Sequence, residues 1–434
     1  MKHILVFGAG KSATCLIDYL KKETATHQWT LTVVDGNLEL ASSKIAGAPQ
    51  ANAVAIDVEN GSDRSALVRS ADIVISLLPP FLHYLVAKDC LEYGKNLLTA
   101  SYVDEKIGAL KEAVTAKGLL FLCEMGLDPG IDHMSAMQLI ASIRAKGGKI
   151  SSFKSHCGGL VAPESDDNPW HYKISWNPRN VVMAGKAGAI YKDHQQTVEV
   201  QYQDLFNETN QVEVPDLGPL AWYANRDSLS YIPVYGLEEA STFLRTTLRY
   251  PSFSSGWKQI IELKLTDETV QYSTDGVSLQ QFFTQHFSKY GLTAKVEAIA
   301  PASDFGKQLE FFGLNDNTTI INKGQCSAAD VMQFVLEQKL VLKPHDKDMI
   351  VMLHELEYEL DGKTQYTSSC LLVKGEDQLR TAMAKTVGLP LGIAAKLILE
   401  GKIQLTGLHI PILPAIYTPV LEELEENGIR FHED

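Results

Sequence analysis

The chain opens with a short apolar run, Ile4–Phe7, followed by a glycine-rich segment and a helical stripe of apolar residues. An unbroken run rich in isoleucine and valine is typical of a parallel strand that is buried on both faces. The glycine-rich segment, Gly8–Ala13, supplies a tight turn, and apolar residues at helical spacing follow over residues 15–20. The pattern therefore predicts a strand, a turn and a helix in this order.

The same alternation of apolar runs and helical stripes continues to about residue 123. Further strands are predicted at Thr30–Val34, Ala53–Ile56, Ala71–Leu78, Leu97–Ala100 and Leu119–Cys123, with helices at Leu82–Tyr93 and Glu105–Ala116. Strands that alternate with helices are typical of a doubly wound parallel sheet. We therefore expect an α/β Rossmann domain with a ligand crevice at the ends of its first and fourth strands.

The pattern changes after Gly126, where a Pro-Gly turn at Leu127–His133 leads into a helix. From Ile150 onward, strands separated by long polar loops and isolated helices predict an α+β domain. The predicted elements of this part are the strands Ser152–His156, Gln195–Tyr202 and Ile260–Leu265, the hairpin Ile350–Leu360 to Tyr366–Leu372 turned at Asp361-Gly362, and the helices Leu279–Tyr290, Gly306–Phe312 and Ala328–Gln338.

Two amphipathic helices near the C-terminus, predicted at Pro390–Glu400 and Pro419–Asn427, resemble helices that cover a Rossmann sheet. We therefore expect the chain to return to its first domain. Residues 1–127 plus about 389–434 are predicted to form the dinucleotide-binding Rossmann domain. Residues 128–388 are then predicted to form the α+β domain, which includes a small helical insertion at about 277–345.

Composition narrows the possible partners. The 434 residues include 53 acidic and 39 basic ones, and the net charge is −14. A nucleic-acid binder needs a basic surface, so we expect no nucleic-acid partner. Six cysteines without a C-x-x-C pair indicate reduced thiols, and we see no apolar stretch long enough to span a bilayer. We expect a cytoplasmic protein without a membrane anchor.

A G-x-G-x-x-A motif lies between the first predicted strand and helix, and it predicts a dinucleotide site at the helix N-terminus. Asp35 ends the second strand, where a carboxylate accepts hydrogen bonds from ribose hydroxyls and repels a 2′-phosphate, which favours NAD over NADP. A glycine-rich turn of another kind of α/β protein is the alternative. The candidate cofactor-binding residues are Gly8, Gly10, Lys11, Ser12, Ala13 and Asp35, with the strand-end residues Asp57, Ser76 and Leu78.

Arginine and cysteine side chains in the second half are candidates for contacting a substrate. Arg226 in a polar loop and Arg245 on a short strand can bind carboxylates bidentately, although surface ion pairing is the alternative. Cys157 adjoins His156, but strand neighbours face opposite sides, so the two are a poor nucleophile–base couple. The segment His156–Leu160 is predicted to open a loop, either for ligand access or as a surface turn beside a structural cysteine. No His/Cys cluster has metal-ligand spacing, and we expect no metal.

Several stretches resemble the saccharopine dehydrogenases of the glutamate-forming type. The most specific are Leu127–His133, read LDPGIDH, and Cys157–Glu164, read CGGLVAPE. Further matching stretches are Val6–Ala13, Thr99–Val103, Glu124–Gly126, Asp167–Tyr172, Asn225–Ser228 and Gly236–Tyr250.

The resemblance implies reversible, nicotinamide-dependent cleavage of saccharopine into glutamate and 2-aminoadipate 6-semialdehyde, a step of lysine metabolism, by a homodimer. It also implies that Ser101 and Leu127 lie against the cofactor and that Tyr102 and Asp128 lie between cofactor and substrate. The resemblance implies that the second domain serves substrate binding and dimerisation, and that Cys157, Arg226, Thr246 and Thr247 contact saccharopine there. Arg245, proposed above from its residue type, adjoins these residues as a further substrate-binding candidate. One departure concerns the cofactor, because fungal members that use NADP carry a basic residue where Asp35-Gly36 stands here.

The chemistry that the resemblance implies requires proton movement and stabilisation of an iminium charge. Asp128 is the first candidate for that role, and an Asx-turn acid that shapes the Pro-Gly bend is its alternative. Tyr102 and Cys157 are further catalytic candidates. Two other functions remain open from the sequence: a related C–N enzyme such as a carboxyspermidine- or lysine-dehydrogenase-like protein, and a non-catalytic dinucleotide-binding paralogue.

Overall fold

The computed structural model describes residues 1–207 and 209–434 and divides the chain into two compact units. The first unit contains residues 1–149 and 371–432, and the second contains residues 150–370 and 433–434.

Strands and helices are numbered here in chain order. The strands are β1 His3–Phe7, β2 Thr30–Asp35, β3 Ala51–Ala55, β4 Ile73–Ser76, β5 Asn96–Thr99, β6 Leu120–Leu122, β7 Lys149–Val161, β8 Ala189–Asp193, β9 Gln196–Val200, β10 Gln211–Val214, β11 Gly218–Ala224, β12 Thr242–Arg249, β13 Tyr272–Ser273, β14 Gln325–Cys326, β15 Asp348–Leu360, β16 Lys363–Lys374, β17 Gly407–His409 and β18 Phe431–Glu433. The helices are α1 Thr14–His27, α2 Leu38–Ile45, α3 Gly61–Ser70, α4 Pro80–Tyr93, α5 Glu105–Gly108, α6 Lys111–Ala116, α7 Ile131–Ala145, α8 Pro178–Val182, α9 Ile232–Tyr235, α10 Pro251–Glu262, α11 Leu279–Lys289, α12 Thr293–Glu297, α13 Asp304–Phe311, α14 Ala328–Lys339, α15 Ala382–Leu399 and α16 Pro414–Glu426.

The first unit is built on a seven-stranded sheet in the order β17-β6-β5-β4-β1-β2-β3. Every neighbouring pair in it is parallel. The first strand is fully buried from Ile4 to Phe7, as expected for a strand covered by helices on both faces. The predicted doubly wound parallel sheet is confirmed. The predicted helix Glu105–Ala116 is instead two short helices, α5 and α6.

The C-terminal segment returns to the first unit as α15, β17 and α16. The division differs from the predicted boundary after residue 127, because α7 packs against α16 and so lies within the first unit. Helix α15 begins eight residues before Pro390, which lies inside it. By length and composition alone this helix could cross a membrane, which the sequence expectation had missed, but it is 78% buried. Such burial is typical of the core helix of a globular domain.

The second unit contains a mixed sheet in the order β10-β11-β12-β7-β15-β16-β18, with β8 and β9 attached beside β12. The pair β7/β12 is parallel, whereas β10/β11 and β11/β12 are antiparallel. The hairpin β15–β16 turns at Asp361-Gly362, as the sequence predicts, and both residues have positive φ. The α+β class of this unit agrees with the prediction.

One predicted strand of the second unit is wrong. Residues Ile260–Leu265 lie at the end of α10 and in the turn after it. This helix begins at Pro251 and buries Phe253, Trp257 and Ile260, which recur at helical spacing. A short apolar run alone does not separate strand from helix, and here the longer spacing decides. Helices α11–α14 with β13 and β14 form the helical part of the unit, around the buried Phe282 and Phe283.

The contact between α1 and α15 requires glycine at position 388. A Cβ added to Gly388 would lie 2.9 Å from the backbone nitrogen and 3.0 Å from the Cβ of Leu16. We predict that Gly388→Ala lowers the free energy of unfolding by about 1–3 kcal/mol, because backbone cannot yield to the added methyl group. Urea denaturation measures the change. The control is Gly61→Ala at the start of α3, where the nearest atom is the end of a side chain at 3.8 Å, and an equal loss there would contradict the packing argument.

Candidate active site

The glycine corner between β1 and α1 has the geometry that the motif predicts. Gly8 has φ +101°, and a Cβ there would lie 2.9 Å from the carbonyl oxygen of Leu77. A Cβ on Gly10 would meet no atom within 4 Å, so this position leaves room for a ligand against the backbone. Lys11–Ala13 form a 3₁₀ turn that runs into α1, and no described side chain caps its start at Gly10. The corner therefore fits a diphosphate at a helix N-terminus.

Asp35 at the end of β2 is bound to this corner. Its Oδ2 accepts a hydrogen bond of 2.8 Å from the backbone N–H of Ala9, and its Oδ1 accepts one of 3.0 Å from Asn37. A carboxylate has about four acceptor positions, so capacity remains for ribose hydroxyls. Asp35 thus holds the glycine corner in place in addition to its predicted role toward a cofactor.

A cavity of about 450 Å³ opens at the ends of the strands beside this corner. Its walls are mostly apolar, and two carboxylates, Asp35 and Asp57, stand among them. No lysine or arginine is among the described residues that line it. The lining residues are Phe7, Val34, Asp35, Gly36, Ile56, Asp57, Val58, Leu78, Pro79 and Leu82. An apolar slot with acceptors for hydroxyl groups fits an adenosine, and of the predicted cofactor residues Asp35, Asp57 and Leu78 belong to it.

The Leu127–His133 segment places Asp128 beside Tyr102. The Tyr102 hydroxyl donates to Asp128 Oδ1 over 3.2 Å, and the Asp128-Pro129 peptide bond is cis. The turn requires glycine at position 130, where φ is +146° and a Cβ would lie 2.1 Å from the carbonyl oxygen of Gly126. Two of the predicted catalytic residues are therefore in direct contact in the first unit.

A buried chain of polar groups joins the two segments that carry this pair, and the sequence analysis missed it. Glu124 Oε1 accepts from the N–H of Val103 at 3.1 Å, and Glu124 Oε2 lies 2.8 Å from His133 Nε2. His133 Nδ1 lies 3.6 Å from Asp132 Oδ2, and Asp132 Oδ1 accepts from the N–H of Gly130 at 2.6 Å. These three side chains, Glu124, His133 and Asp132, are called the buried brace below. They link the backbone after Tyr102 to the backbone after Asp128.

A second buried chain connects the ends of β4 and β5. His83, in α4, lies 2.8 Å from Ser76 Oγ through Nδ1 and 2.8 Å from Ser101 Oγ through Nε2. Burial lowers the pKa of His83 to about 4, so its ring is neutral near pH 7. Ser76 and Ser101 were predicted as cofactor-binding residues, whereas His83 was not singled out. Its position in the first turn of the helix after a strand was the available signal.

In the second unit, the predicted residues other than Arg226 lie on the strand pair β7 and β12 and are divided between its two faces. Residues 156 and 157 continue β7 rather than opening the predicted loop, and Thr247 pairs with Cys157 in register. Glycine is needed at position 158 because a Cβ would lie 2.7 Å from the carbonyl oxygen of Leu248 on β12. The glycine pair therefore serves close strand packing, which an isolated sequence motif does not distinguish from a turn.

Alternation along β12 separates Thr246 from its neighbours. Thr246 Oγ1 lies 2.7 Å from His156 Nδ1, whose Nε2 lies 3.1 Å from Glu355 Oε2. Arg245 and Thr247 face the other side with the buried Cys157. Arg245 is itself buried and stacks over the ring of Tyr231 at 4.5 Å. His156 and Cys157 therefore face opposite sides of the sheet, as expected for neighbours on a strand.

Two further arginines differ in their surroundings. Arg226 is exposed in the loop after β11, with φ +52°, and its carbonyl oxygen accepts from the N–H of Ile190. Arg249, which the sequence analysis did not single out as a site residue, shares the face of Arg245 and is 3% exposed. Its guanidinium donates to the carbonyl oxygen of Leu248 and lies 5.3 Å from the ring centre of Tyr172. The face that carries Cys157 therefore contains two buried cations.

Two family models cover nearly the whole chain. One, described as the saccharopine dehydrogenase NADP binding domain, matches residues 4–122, and the other, the saccharopine dehydrogenase C-terminal domain, matches residues 126–429. The chain belongs to the saccharopine dehydrogenase family. The resemblance given by the LDPGIDH and CGGLVAPE strings is thereby confirmed.

Curated relatives and solved structures agree with this assignment. The saccharopine dehydrogenase [NADP(+), L-glutamate-forming] of Schizosaccharomyces pombe is 32% identical over 100% of this chain and 99% of its own. The alpha-aminoadipic semialdehyde synthase of Arabidopsis thaliana is 33% identical over 99% of this chain, which spans only 44% of that relative's length. The apo saccharopine dehydrogenase (L-Glu forming) of Saccharomyces cerevisiae superposes with a TM-score of 0.88 at 29% identity and covers 100% of this chain and 99% of its own.

The comparisons bear on the cofactor only in part. They support a nicotinamide dinucleotide, and both the family model and the fungal relatives carry NADP in their names. They do not support the preference for NAD that Asp35 suggests. A homospermidine synthase from Legionella pneumophila in complex with NAD has a TM-score of 0.56 at 9% identity, which shows shared fold alone.

We predict that His133→Ala lowers the free energy of unfolding by about 3–5 kcal/mol, because it leaves two buried carboxylates without their shared imidazole. Chemical denaturation measures this loss. The matched control is His171→Ala, which removes an imidazole that is 43% exposed and bonded to Asp166 at 2.5 Å. We expect a loss of no more than about 1 kcal/mol there. Similar losses for the two variants would contradict the role of the buried brace.

Proposed function

We propose that the chain catalyses the reversible, nicotinamide-dependent oxidation of saccharopine at its secondary amine, giving glutamate and 2-aminoadipate 6-semialdehyde. The observation that carries the proposal is the match of fungal L-glutamate-forming saccharopine dehydrogenases over the full length of both chains. A cytoplasmic homodimer, acting on a small amino acid and contacting neither nucleic acid nor membrane, is part of the same proposal.

The oxidation breaks a C–H bond beside the amine and removes the amine proton, which leaves an imine that water splits into aldehyde and glutamate. A nicotinamide held at the glycine corner would supply the hydride acceptor. Asp128 is a suitable proton acceptor and donor for the amine and the attacking water, and its negative charge stabilises an iminium. The Tyr102 hydroxyl, bonded to Asp128 Oδ1, fixes the orientation of that carboxylate. Cys157 is proposed as a further group at the substrate.

Saccharopine carries three carboxylates, and the second unit supplies cations that match them. Arg245 lies on the face of Cys157 and Thr247, and Arg226 lies in an exposed loop of the same unit. Guanidinium forks bind carboxylates bidentately, which sets orientation as well as affinity. Thr246 is proposed to contribute through its backbone, since its hydroxyl is bonded to His156.

We further propose that NAD is the preferred cofactor, although the fungal relatives are named for NADP. The lining of the cavity beside the glycine corner supports this choice, since it contains two carboxylates and no basic residue among the described ones. A 2′-phosphate there would face Asp35 and Asp57 without a compensating cation, and like charges at a few ångströms repel strongly.

We predict that Asp128→Asn lowers kcat for saccharopine oxidation by about 100-fold or more, because the amide cannot take up a proton. The reaction is followed by cofactor reduction and by glutamate formation. Dinucleotide affinity should be unchanged, and Asp63→Asn at the exposed start of α3 is the matched control. Full activity of Asp128→Asn would contradict the catalytic role and would indicate that Asp128 only shapes the Pro-Gly bend.

The same assay separates the other functions. Equal or better turnover of lysine or of carboxylated polyamines would favour a related C–N enzyme. Dinucleotide binding without turnover of any of these amines would indicate a non-catalytic paralogue. Each result would replace the proposed substrate while leaving the family assignment intact.

We predict that the wild-type protein has a higher kcat/KM with NAD than with NADP and that Asp35→Asn narrows the ratio by at least about tenfold. The asparagine oxygen retains the hydrogen bond from Ala9 while the repelling charge is removed, and tenfold corresponds to about 1.4 kcal/mol. Asp35→Ala should weaken the binding of both cofactors, because it also removes the hydrogen bond that holds Ala9 in the glycine corner. A wild-type preference for NADP would refute the choice of NAD.

A further inference from the structure

In the hydrogen-bonded series Ser76–His83–Ser101, the available donors and acceptors decide which group donates to which. Ser76 is fully buried at the end of β4, and among the described residues its hydroxyl has one partner, His83 Nδ1, at 2.8 Å. A buried hydroxyl that does not donate is left unsatisfied at a cost comparable to a lost hydrogen bond. Ser76 therefore donates its proton to Nδ1, which makes Nδ1 the acceptor.

The state of the ring then follows. A neutral imidazole has one donor and one acceptor nitrogen, so a ring that accepts at Nδ1 carries its proton on Nε2. Nε2–H donates to Ser101 Oγ at 2.8 Å. Burial lowers the pKa of His83 and outweighs the opposing effect of Asp104, the one carboxylate among the described residues that acts on this ring, so the ring stays neutral at pH 7. With its oxygen already accepting, the half-buried Ser101 hydroxyl has its own proton left to donate onward.

Ser101 is fixed at its backbone as well. Its N–H donates to Thr99 Oγ1 at 2.9 Å, and its carbonyl oxygen accepts from the N–H of Glu124 at 3.1 Å. The next residue is Tyr102, whose hydroxyl meets Asp128. The end of the series thus lies one residue from the candidate catalytic pair, at the carboxyl end of a central strand, where ligands of such sheets bind.

We propose that His83 is a positioning residue that locks Ser101 as a hydrogen-bond donor to an acceptor oxygen of the bound reactants. This inference rests on the proposed function for the identity of those reactants. The acceptor is a carboxamide oxygen on the nicotinamide or a carboxylate oxygen on the amino acid. Both present the same chemistry to a hydroxyl donor, and separate KM values distinguish them.

The state of the ring is tested directly by nitrogen NMR of protein labelled with ¹⁵N-histidine, with His83→Gln used to assign the signal. We expect a neutral ring protonated on Nε2 at pH 7, with or without bound NADH. Ser76→Ala should raise the share of the Nδ1-protonated form, because it removes the donor that fixes Nδ1. A wild-type ring protonated on Nδ1, or a charged ring, would overturn the proposal.

The functional role is tested with a matched pair of variants. Glutamine places its amide nitrogen near the position of Nε2 and can still donate to Ser101, whereas asparagine reaches only the position of Nδ1. We expect His83→Gln to stay within a few-fold of wild type. His83→Asn should raise the KM of one reactant about tenfold, the size expected for loss of one oriented hydrogen bond. A change in the KM for NAD, matched by weaker NADH binding, identifies the carboxamide, and a change in the KM for saccharopine identifies the carboxylate.

A double-mutant cycle separates positioning from simple structural support. Ser101→Ala should raise the same KM as His83→Asn, and the double variant should be no worse than either alone, because both remove one hydrogen bond. Additive losses, or a loss of stability with unchanged KM values, would refute the positioning role. If saccharopine is not a substrate, the ring state, which is measured without any amino acid, still tests whether His83 locks Ser101, so failure of this inference is distinguishable from failure of the proposed function.

Discussion

The closed turn from Gly126 to Ile131 is the constraint on which the candidate active site depends. Gly126 donates its N–H to the carbonyl oxygen of Pro129, and its own carbonyl oxygen accepts from Ile131. These two bonds bring the backbone at Gly130 so close to Gly126 that no side chain fits. Asp128 lies at the tip of this turn, so its position is set by backbone geometry rather than by its own rotamer alone.

Buried polar chains extend that constraint to the neighbouring strands. Glu124 and His133 connect the turn to the segment after β5, while His83 connects β5 to β4. In a low-dielectric interior such bonds are strong, and an unpaired member is costly. The carboxyl ends of β4, β5 and β6 are therefore held together by side chains as well as by the sheet. This edge of the sheet is a rigid platform for a ligand.

The sequence predicted the parts of this arrangement that depend on local pattern. Strand–helix alternation gave the parallel sheet, and the Gly8–Ala13 motif gave the ligand corner. Pairings over long sequence distances were not predictable, because nothing local shows that His83 meets Ser101 or that Glu124 meets His133. The strand predicted at residues 260–265 was wrong for another reason, since a short apolar run fits the end of a buried helix as well as a strand.

The second unit contains buried positive charge although the protein as a whole is acidic. Arg249 is buried, and none of the described residues forms an ion pair with it; the rings of Tyr172, Tyr223 and Phe253 lie 5.3–5.9 Å from its guanidinium. Aromatic faces offset part of the desolvation cost of a cation without neutralising it. The positive field of Arg249 therefore persists along the face that Arg245 and Cys157 share. A net charge of −14 over the whole chain does not weaken that field much, because exposed charges are screened within about 10 Å whereas buried ones are screened much less.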